Sequence, residues 1–566
     1  MSKRLWLTIL VLVIAVVTLS LTWSGGISQT QEEVEQPWIA GIVLDRQNQP
    51  VQDARVALIT VGEVEPLAET STQADGRYAL IIPETIPDKL AVHIERAHFE
   101  VVELEIDPAA IENLRSGETH IMPEVTLQRL INPAFWIATL IFVSVLVFIV
   151  TGLLHNTLAA LVGASLLYLI SYLGNPLSEN LFIFDFQDSL KYIDWNVIFL
   201  VMGMMIVIAV VENTGIFQWL AFFAYRISRG RMWLLMPILM LITGIASALL
   251  DNVTTMLLMT PISIQIALSL GINPLAFLIP EVMASNVIGI CTLIGTPTNI
   301  LIGSYGDISF NDFLQNLTPG VMLAFVGLVA YCSYIYRKDL AEAKSASPLL
   351  LETLAERGRI TKPDHLKKAG LVGVGMLVMF ILGERIHLLP AVTALIGATA
   401  LMVWIKPDIE EMIEAVDWTT LVFFMSLFIV VGAIQEVGLI SYVAEGIAWL
   451  VGENLLLAML AVTWLSAILS MVIANIPFTA AMLPVVGFLT LTVPGAESKV
   501  LFFCLSVGSG MGGNGSLIGA SANMITAGIV ESAGYPISYG YFIKKGFPAL
   551  LITVGLATIW LLEKFL

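Results

Sequence analysis

The 566-residue sequence predicts a polytopic α-helical membrane protein made of two inverted repeats, each with a re-entrant hairpin and an interrupted helix, plus a small N-terminal β-sandwich domain. Three observations carry this. Mean hydropathy is +0.86 and 57% of residues are hydrophobic, a membrane composition rather than a water-soluble one. A polar motif embedded in apolar sequence occurs twice, 223 residues apart, as Leu250-Asp251-Asn252-Val253-Thr254-Thr255-Met256 and Ala474-Asn475-Ile476-Pro477-Phe478-Thr479-Ala480. Basic residues crowd into loops that fall on one side when the spans are counted through.

The chain opens with Met1-Ser2-Lys3-Arg4 before an apolar run, Leu5 to Trp23. The run is long and Ser24-Gly25-Gly26 is a weak cleavage site, so residues 1–30 read as an uncleaved signal-anchor helix with a cytoplasmic N-terminus. Residues 37–128 then alternate in short strands punctuated by turns, among them Asp45–Pro50 and Asp75-Gly76, which predicts an extracytoplasmic β-sandwich. This stretch carries most of the negative charge, with 19 acidic against 7 basic residues over 31–130. Such a domain is solvated, and nothing in the charge pattern suggests nucleic-acid binding.

From Phe135 the chain reads as membrane. Residues 135–336 form repeat 1, with spans at 135–154, 158–173 and 195–213, a hairpin at 233–270, an interrupted helix at 275–303 and a span at 320–336. A charged cytoplasmic linker at 337–368 follows. Repeat 2 occupies 369–566, with spans at 369–383, 390–405 and 418–434, a hairpin at 455–492, an interrupted helix at 498–528 and a last span at 547–562.

The halves agree well beyond the first motif. Ser247 and Ser470 lie five residues before the paired Asn, Pro261 and Pro484 nine after it. Asp194-Trp195 returns as Asp417-Trp418, and Glu212-Asn213-Thr214-Gly215 as Gln435-Glu436-Val437-Gly438. Leu293-Ile294-Gly295-Thr296-Pro297-Thr298-Asn299 returns 224 residues on as Leu517-Ile518-Gly519-Ala520-Ser521-Ala522-Asn523. Agreement over this distance is an internal duplication. Arg226, Arg229 and Arg231, the basic linker, and Lys544-Lys545 all become cytoplasmic in one topology, which leaves the C-terminus outside. Five crossings per half make the repeats inverted, the mark of a secondary transporter.

Composition excludes other classes. Six His residues, none paired at helix spacing, give no metal centre, and Cys291, Cys332 and Cys504 all lie in apolar segments. No nucleophile–base pair or nucleotide loop has a recognisable spacing, so the chain is not read as an enzyme and implies no cofactor.

Interrupting a helix at mid-membrane frees backbone groups, which is tolerated beside a cavity or within protein. Freed helix N-termini suit anions; carbonyls and Asn or Thr oxygens suit Na⁺. The site is therefore expected where two hairpin tips and two breaks meet: Asp251, Asn252, Thr255, Asn286, Thr296, Thr298, Asn299, Asn475, Thr479, Asn514, Ser516, Ser521 and Asn523. Asp251 aligns with Ala474, so the tips carry one carboxylate. Burial of a lone carboxylate disfavours its charged form, which suits a coupling residue for H⁺ or a cation; the competing reading is a helix cap. Glu281, just after Pro280 at a helix entry, is placed near the interface. No Arg or Lys falls in the four motifs, which favours a small ion or neutral oxyacid over citrate-like carboxylates unless helix ends or co-bound cations serve.

The motifs around Asp251-Asn252, Ala284-Ser285-Asn286, Ile294–Ile300, Asn475–Thr479 and Gly512–Asn523 resemble the ArsB/NhaD permeases of the ion transporter superfamily, most of all the P-protein type. The resemblance covers 135–566. It implies an elevator-type transporter of the cell membrane, with H⁺ or Na⁺ as coupling ion, and a substrate such as arsenite or another oxyanion, or Na⁺/H⁺ exchange. A passive anion channel is the alternative it allows, and a homodimer is compatible with it. Gly41-Ile42-Val43-Leu44-Asp45 through Asp75-Gly76-Arg77-Tyr78 is similar to the carboxypeptidase regulatory-like domain. A further reading makes the chain a membrane-anchored interaction protein working through that β domain; the intramembrane Asn pairs argue against it.

Overall fold

The computed structural model describes residues 37–46, 49–62, 65–83, 86–229, 231–341 and 359–566. The expected signal anchor and residues 342–358 of the linker lie outside the described residues. The chain divides into two compact units, at Leu130 and Ile131.

The first unit holds two four-stranded sheets. In one, β1 (Trp38–Asp45) pairs antiparallel with β4 (Arg77–Ile81) and parallel with β7 (His120–Ile121) and β8 (Val125–Leu127). The other runs β3 (Pro66–Ser71), β2 (Arg55–Thr60), β5 (Leu90–Glu95), β6 (Val102–Glu105), all antiparallel. Alternation along β1 turns Ile39, Gly41 and Val43 inward to meet Val56, Leu58, Leu80, Val92 and Ile94 from both sheets. Gly41 is required there, since a Cβ would fall 2.6 Å from the Tyr78 hydroxyl. A short helix, α1 (Pro108–Arg115), closes the core with Ile111 and Leu114.

The second unit is helical. Its first series is α2 (Pro133–Thr151), α3 (Asn156–Gly174), α4 (Phe186–Lys191), α5 (Trp195–Glu212), α6 (Ile216–Ser228), α7 (Met232–Leu249), α8 (Asn252–Ser269), α9 (Leu275–Ile288), α10 (Pro297–Tyr305) and α11 (Phe310–Ile335). After α12 (Arg337–Ala341) the order returns as α13 (Pro363–Gly383), α14 (Pro390–Ile405), α15 (Ile409–Glu414), α16 (Trp418–Glu436), α17 (Leu439–Val451), α18 (Leu455–Val472), α19 (Asn475–Thr492), α20 (Val500–Gly512), α21 (Ser521–Ser532) and α22 (Tyr539–Phe565). Among the described residues, eleven helices are long and apolar enough to cross a membrane.

Packing between the series is reciprocal. Helix α5 packs on α14 while α16 packs on α3; α8 packs on α21 while α19 packs on α10; α11 packs on its own counterpart, α22. Several sequence echoes are the caps of these helices. Asp194 and Asp417 accept the Val197 and Thr420 N–H groups at the starts of α5 and α16, each at 3.2 Å. Gly215 and Gly438, at φ 80° and 89°, turn the chain into α6 and α17.

Some helices depart from the spans read in the sequence. Helices α11 and α22 begin well before residues 320 and 547 and run through Pro319 and Pro548. Ser309, in a capping box with Asp312, and Ser538 supply their starts. The 13-residue α6 and α17 were not among those spans. Each spans roughly 20 Å, short of a hydrocarbon core. Both are amphipathic, α6 burying Phe217, Ala221, Ala224, Tyr225 and Ser228 at helical spacing while Arg226 stays exposed.

Candidate functional site

The two hairpins turn at Leu250–Asp251 and Ile473–Ala474. Helix α9 leads into a 3-10 turn (Gly289–Cys291) and an extended stretch before α10; α20 leads into Gly513–Gly515 and then α21. Each loop is locked by matched bonds. The Thr292 hydroxyl donates to Ala248 O (2.5 Å) and accepts from the Gly295 N–H (3.0 Å). Ser516 does the same to Met471 O (2.5 Å) and from Gly519 (3.1 Å). Asn299 donates to Ile290 O and Thr292 O at 2.9 and 2.8 Å, and Asn523 to Gly513 O and Ser516 O, both at 2.8 Å. These amides satisfy the carbonyls that the breaks set free. The duplicated serines fix hairpin to helix: Ser247 donates to Ser285 O (3.1 Å) and Ser470 to Ser509 O (2.8 Å).

The halves then reach into one another. Ser506 on α20 donates to Asn299 Oδ1 at 2.6 Å, and Asn286 on α9 donates to Asn523 Oδ1 at 3.1 Å. The same Asn286 amide reaches Asn514 Oδ1 (3.1 Å), and Asn286 Oδ1 accepts from Asn252 at 3.1 Å. Asn514 donates onward to Met283 O at 3.4 Å. Asn252, Asn286, Asn514 and Asn523 are thus one buried network linking the first hairpin tip, through α9, to the second break.

Among the described residues, three polar atoms at the tips are buried and have no partner: Asn252 Oδ1 and Thr255 Oγ1 on α8, and Thr479 Oγ1 on α19. Helix starts differ between halves. Asp251 caps α8, its carboxylate accepting from Thr254 N–H (2.8 Å) and Thr254 Oγ1 (2.7 Å); Thr296 caps α10 by accepting from Asn299 N–H (3.2 Å) and touches the Thr298 hydroxyl at 3.0 Å. Helices α19 and α21 start at Ala474 and Ala520 with no side-chain cap. These two bare starts are neighbours, since the Asn475 N–H donates to Gly519 O at 3.3 Å. Asn475 is buried and Ser521 partly buried at the first positions of those helices. Of the two readings of Asp251, its geometry is that of a cap, with both oxygens engaged by Thr254.

Glu281, expected near the interface, is enclosed by other helices. It lies fully buried on α9, between α7 and α8. Pro280, which suggested a helix entry, sits inside α9 instead. Thr292 and Ser506 were missed as site residues. The internal repeat signals Thr292, which lies 224 residues before Ser516. It gives no signal for Ser506, whose counterpart is the apolar Val282.

A family model described as a citrate transporter, CitMHS, matches residues 145–495. The chain belongs to the CitMHS citrate transporter family. It is a membrane transporter of that type with many spans. Its relatives include an uncharacterized transporter of Mycobacterium tuberculosis, 36% identical over 426 residues covering 75% of this chain and 97% of that protein. A 46 kDa membrane protein of Mycobacterium leprae is 35% identical over 432 residues, 76% of this chain and 99% of that protein. The human P protein is 32% identical over 500 residues, 74% of this chain and 59% of its own length. Among solved structures, the YdaH transporter of Alcanivorax borkumensis aligns at a TM-score of 0.47 and 14% identity, covering 75% of this chain and 97% of that one.

Proposed function

We propose that this CitMHS-family chain is a secondary active transporter of the cell membrane that carries a small anion, coupled to H⁺ or Na⁺. The observation that carries the reading is the pair of uncapped helix starts at Ala474 and Ala520, side by side, with the buried, unpartnered Thr479 hydroxyl on the first of them. Bare helix N-termini bind carboxylates and oxyanions through free N–H groups and partial positive charge, without a basic side chain. In the first half the same two positions are occupied by Asp251 and Thr296, and the free oxygens Asn252 Oδ1 and Thr255 Oγ1 suit a cation instead. One half offers donors and the other acceptors, an arrangement for an anion travelling with a cation or proton.

Reciprocal packing of the two series supports two repeats related by a twofold axis, and the crossings and basic loops of the sequence support their inversion. Matched locking of each break to its hairpin tip supports movement of those elements as a body, the elevator mode. Citrate, named by the family model, has the chemistry for the bare helix starts. Arsenite and Na⁺/H⁺ exchange, which the ArsB/NhaD-like motifs suggest, are the competing cargoes.

The test is flux in proteoliposomes containing the full chain, with citrate, arsenite and Na⁺ or Li⁺ each offered with and without imposed pH and Na⁺ gradients. Uphill accumulation of an anion that follows a gradient supports the reading. Equilibration indifferent to any gradient identifies a passive anion pathway.

A further inference from the structure

Glu281 is fully buried on α9, 0% exposed. Its Oε2 accepts from Thr243 Oγ1 on α7 at 3.1 Å and from Ser263 Oγ on α8 at 2.9 Å. Its other oxygen, Oε1, is equally buried and has no partner. Segments α7 and α8 carry no acid or base. Of the titratable groups on the other elements packed against α9, including Cys291, Asp312 and Cys332 near or on α11, Cys504 on α20, Glu531 on α21 and the Lys544–Lys545 pair on α22, none hydrogen-bonds or ion-pairs with Glu281; its partners are the two hydroxyls.

A carboxylate ion in that setting has neither a counter-charge nor a donor for half of its charge, the arrangement proteins avoid. A proton on Oε1 removes the buried charge, the costliest part of that arrangement, and the two hydroxyls then serve the carbonyl-like Oε2. The two hydroxyl oxygens converge on that one oxygen and not on a void, so the cluster lacks the shell of several oxygens that Na⁺ or a larger ion requires.

The fold does not need this carboxylate. Matching Ser285 with Ser509, Ser247 with Ser470 and Pro261 with Pro484 gives the second-half counterparts of Glu281, Thr243 and Ser263 as Leu505, Ser466 and Val486. Leu505 is as buried as Glu281, and the Ser466 hydroxyl, facing no acid, has no partner. A packed helix pair is therefore built there without a carboxylate. The acid and its Ser263 donor belong to the first half alone, while the Thr243 position keeps a hydroxyl in Ser466.

We propose that Glu281 is the proton-carrying residue of the transport cycle: Oε1 takes a proton from water on one side of the membrane and returns it to water on the other. This rests on the reading of the chain as a coupled transporter. It assigns to Glu281 the coupling role that the sequence suggested for Asp251, whose oxygens are held by Thr254.

Glu281→Gln keeps the size and an acceptor for both hydroxyls but takes no proton. In proteoliposomes this variant is expected to lose accumulation driven by a pH gradient, to keep substrate-for-substrate exchange, and to lose the pH dependence of that exchange. Wild-type driven accumulation in Glu281→Gln overturns the proposal. Should Glu281→Gln fail to insert, Ser263→Ala is expected to move the pH midpoint of accumulation, whereas Ser466→Ala leaves it in place; an unmoved midpoint in Ser263→Ala overturns the proposal. Infrared spectroscopy of the purified full chain gives a readout independent of flux. Wild type should show a carboxylic-acid C=O stretch that disappears at high pH and is missing from Glu281→Gln, and its absence from wild type overturns the assignment. If that band is present while no cargo moves, the transport reading fails and the proton site stands.

Discussion

Asn286 and Asn523 join the two halves of the membrane unit: the Asn286 amide donates to the Asn523 side-chain oxygen at 3.1 Å, both side chains buried. Asn523 meanwhile spends its own amide on Gly513 O and Ser516 O, closing the second break. Asn286→Ala strands Asn252 Nδ2 and removes a donor from Asn514 and Asn523. Each unmet buried group costs about 1–3 kcal/mol. The variant is expected to insert, to lose most transport, and to melt several degrees lower in detergent than Asn311→Ala, whose half-buried amide donates to Ile381 O and Glu384 Oε2 outside the network. Equal melting temperatures and equal flux would remove the network from the account.

Asp251 caps α8, so Asp251→Asn, which caps about as well, should change stability little and leave gradient-driven transport intact. Asp251→Ala should lower stability by about 0.5–2 kcal/mol. Loss of driven transport in Asp251→Asn, with exchange retained, would return the coupling role to this residue.

The bare start of α19 is where an anion is expected. Ala474→Asp places there the residue that stands at the equivalent first-half position, supplying a cap and a negative charge. Its KM for the transported anion should rise roughly tenfold or more, equivalent to about 1.4 kcal/mol. Asn475→Ala should raise KM too, while leaving the pH profile in shape. A KM unchanged by Ala474→Asp would place the anion elsewhere.

Close backbone approach at the second break gives a stability test. A Cβ at Gly519 would meet Gly513 Cα at 3.0 Å and Ser470 O at 3.1 Å, whereas one at Gly528 on α21 meets nothing within 4 Å. Gly519→Ala should therefore destabilise by about 1–3 kcal/mol. Gly528→Ala should be neutral or stabilise by up to about 1 kcal/mol. Thermal unfolding of the two purified variants compares them directly.

Hydropathy and the internal repeat made the helices and the polar motifs legible in the sequence, because apolar length and polar exceptions are what a bilayer selects. The repeat also marked Ser247 and Ser470, whose hydroxyls do matched jobs. It could not tell a cap from a ligand: Asp194, Asp417 and Gly438 echo their counterparts as strongly as Asn252 and Asn475 do, yet serve helix starts. Helices α6 and α17 were overlooked because an amphipathic 13-residue stretch is too short to register as a span. The enclosure of Glu281 was not legible because Pro280 beside it imitates a helix entry, and only the packing of α7 and α8 against α9 shows its burial. Ser506 has no polar counterpart in the first half, and its bond to Asn299 crosses 207 residues, beyond any local pattern.

The most direct test of the central claim is accumulation of labelled citrate, and of arsenite in parallel, by proteoliposomes holding the full chain under an imposed pH gradient and, separately, an imposed Na⁺ gradient. The account predicts that one of these cargoes rises above its equilibrium level in wild type, and that the excess collapses when an ionophore dissipates the gradient. Entry that stops at equal concentrations whatever the gradient, or no entry of either cargo, would contradict it.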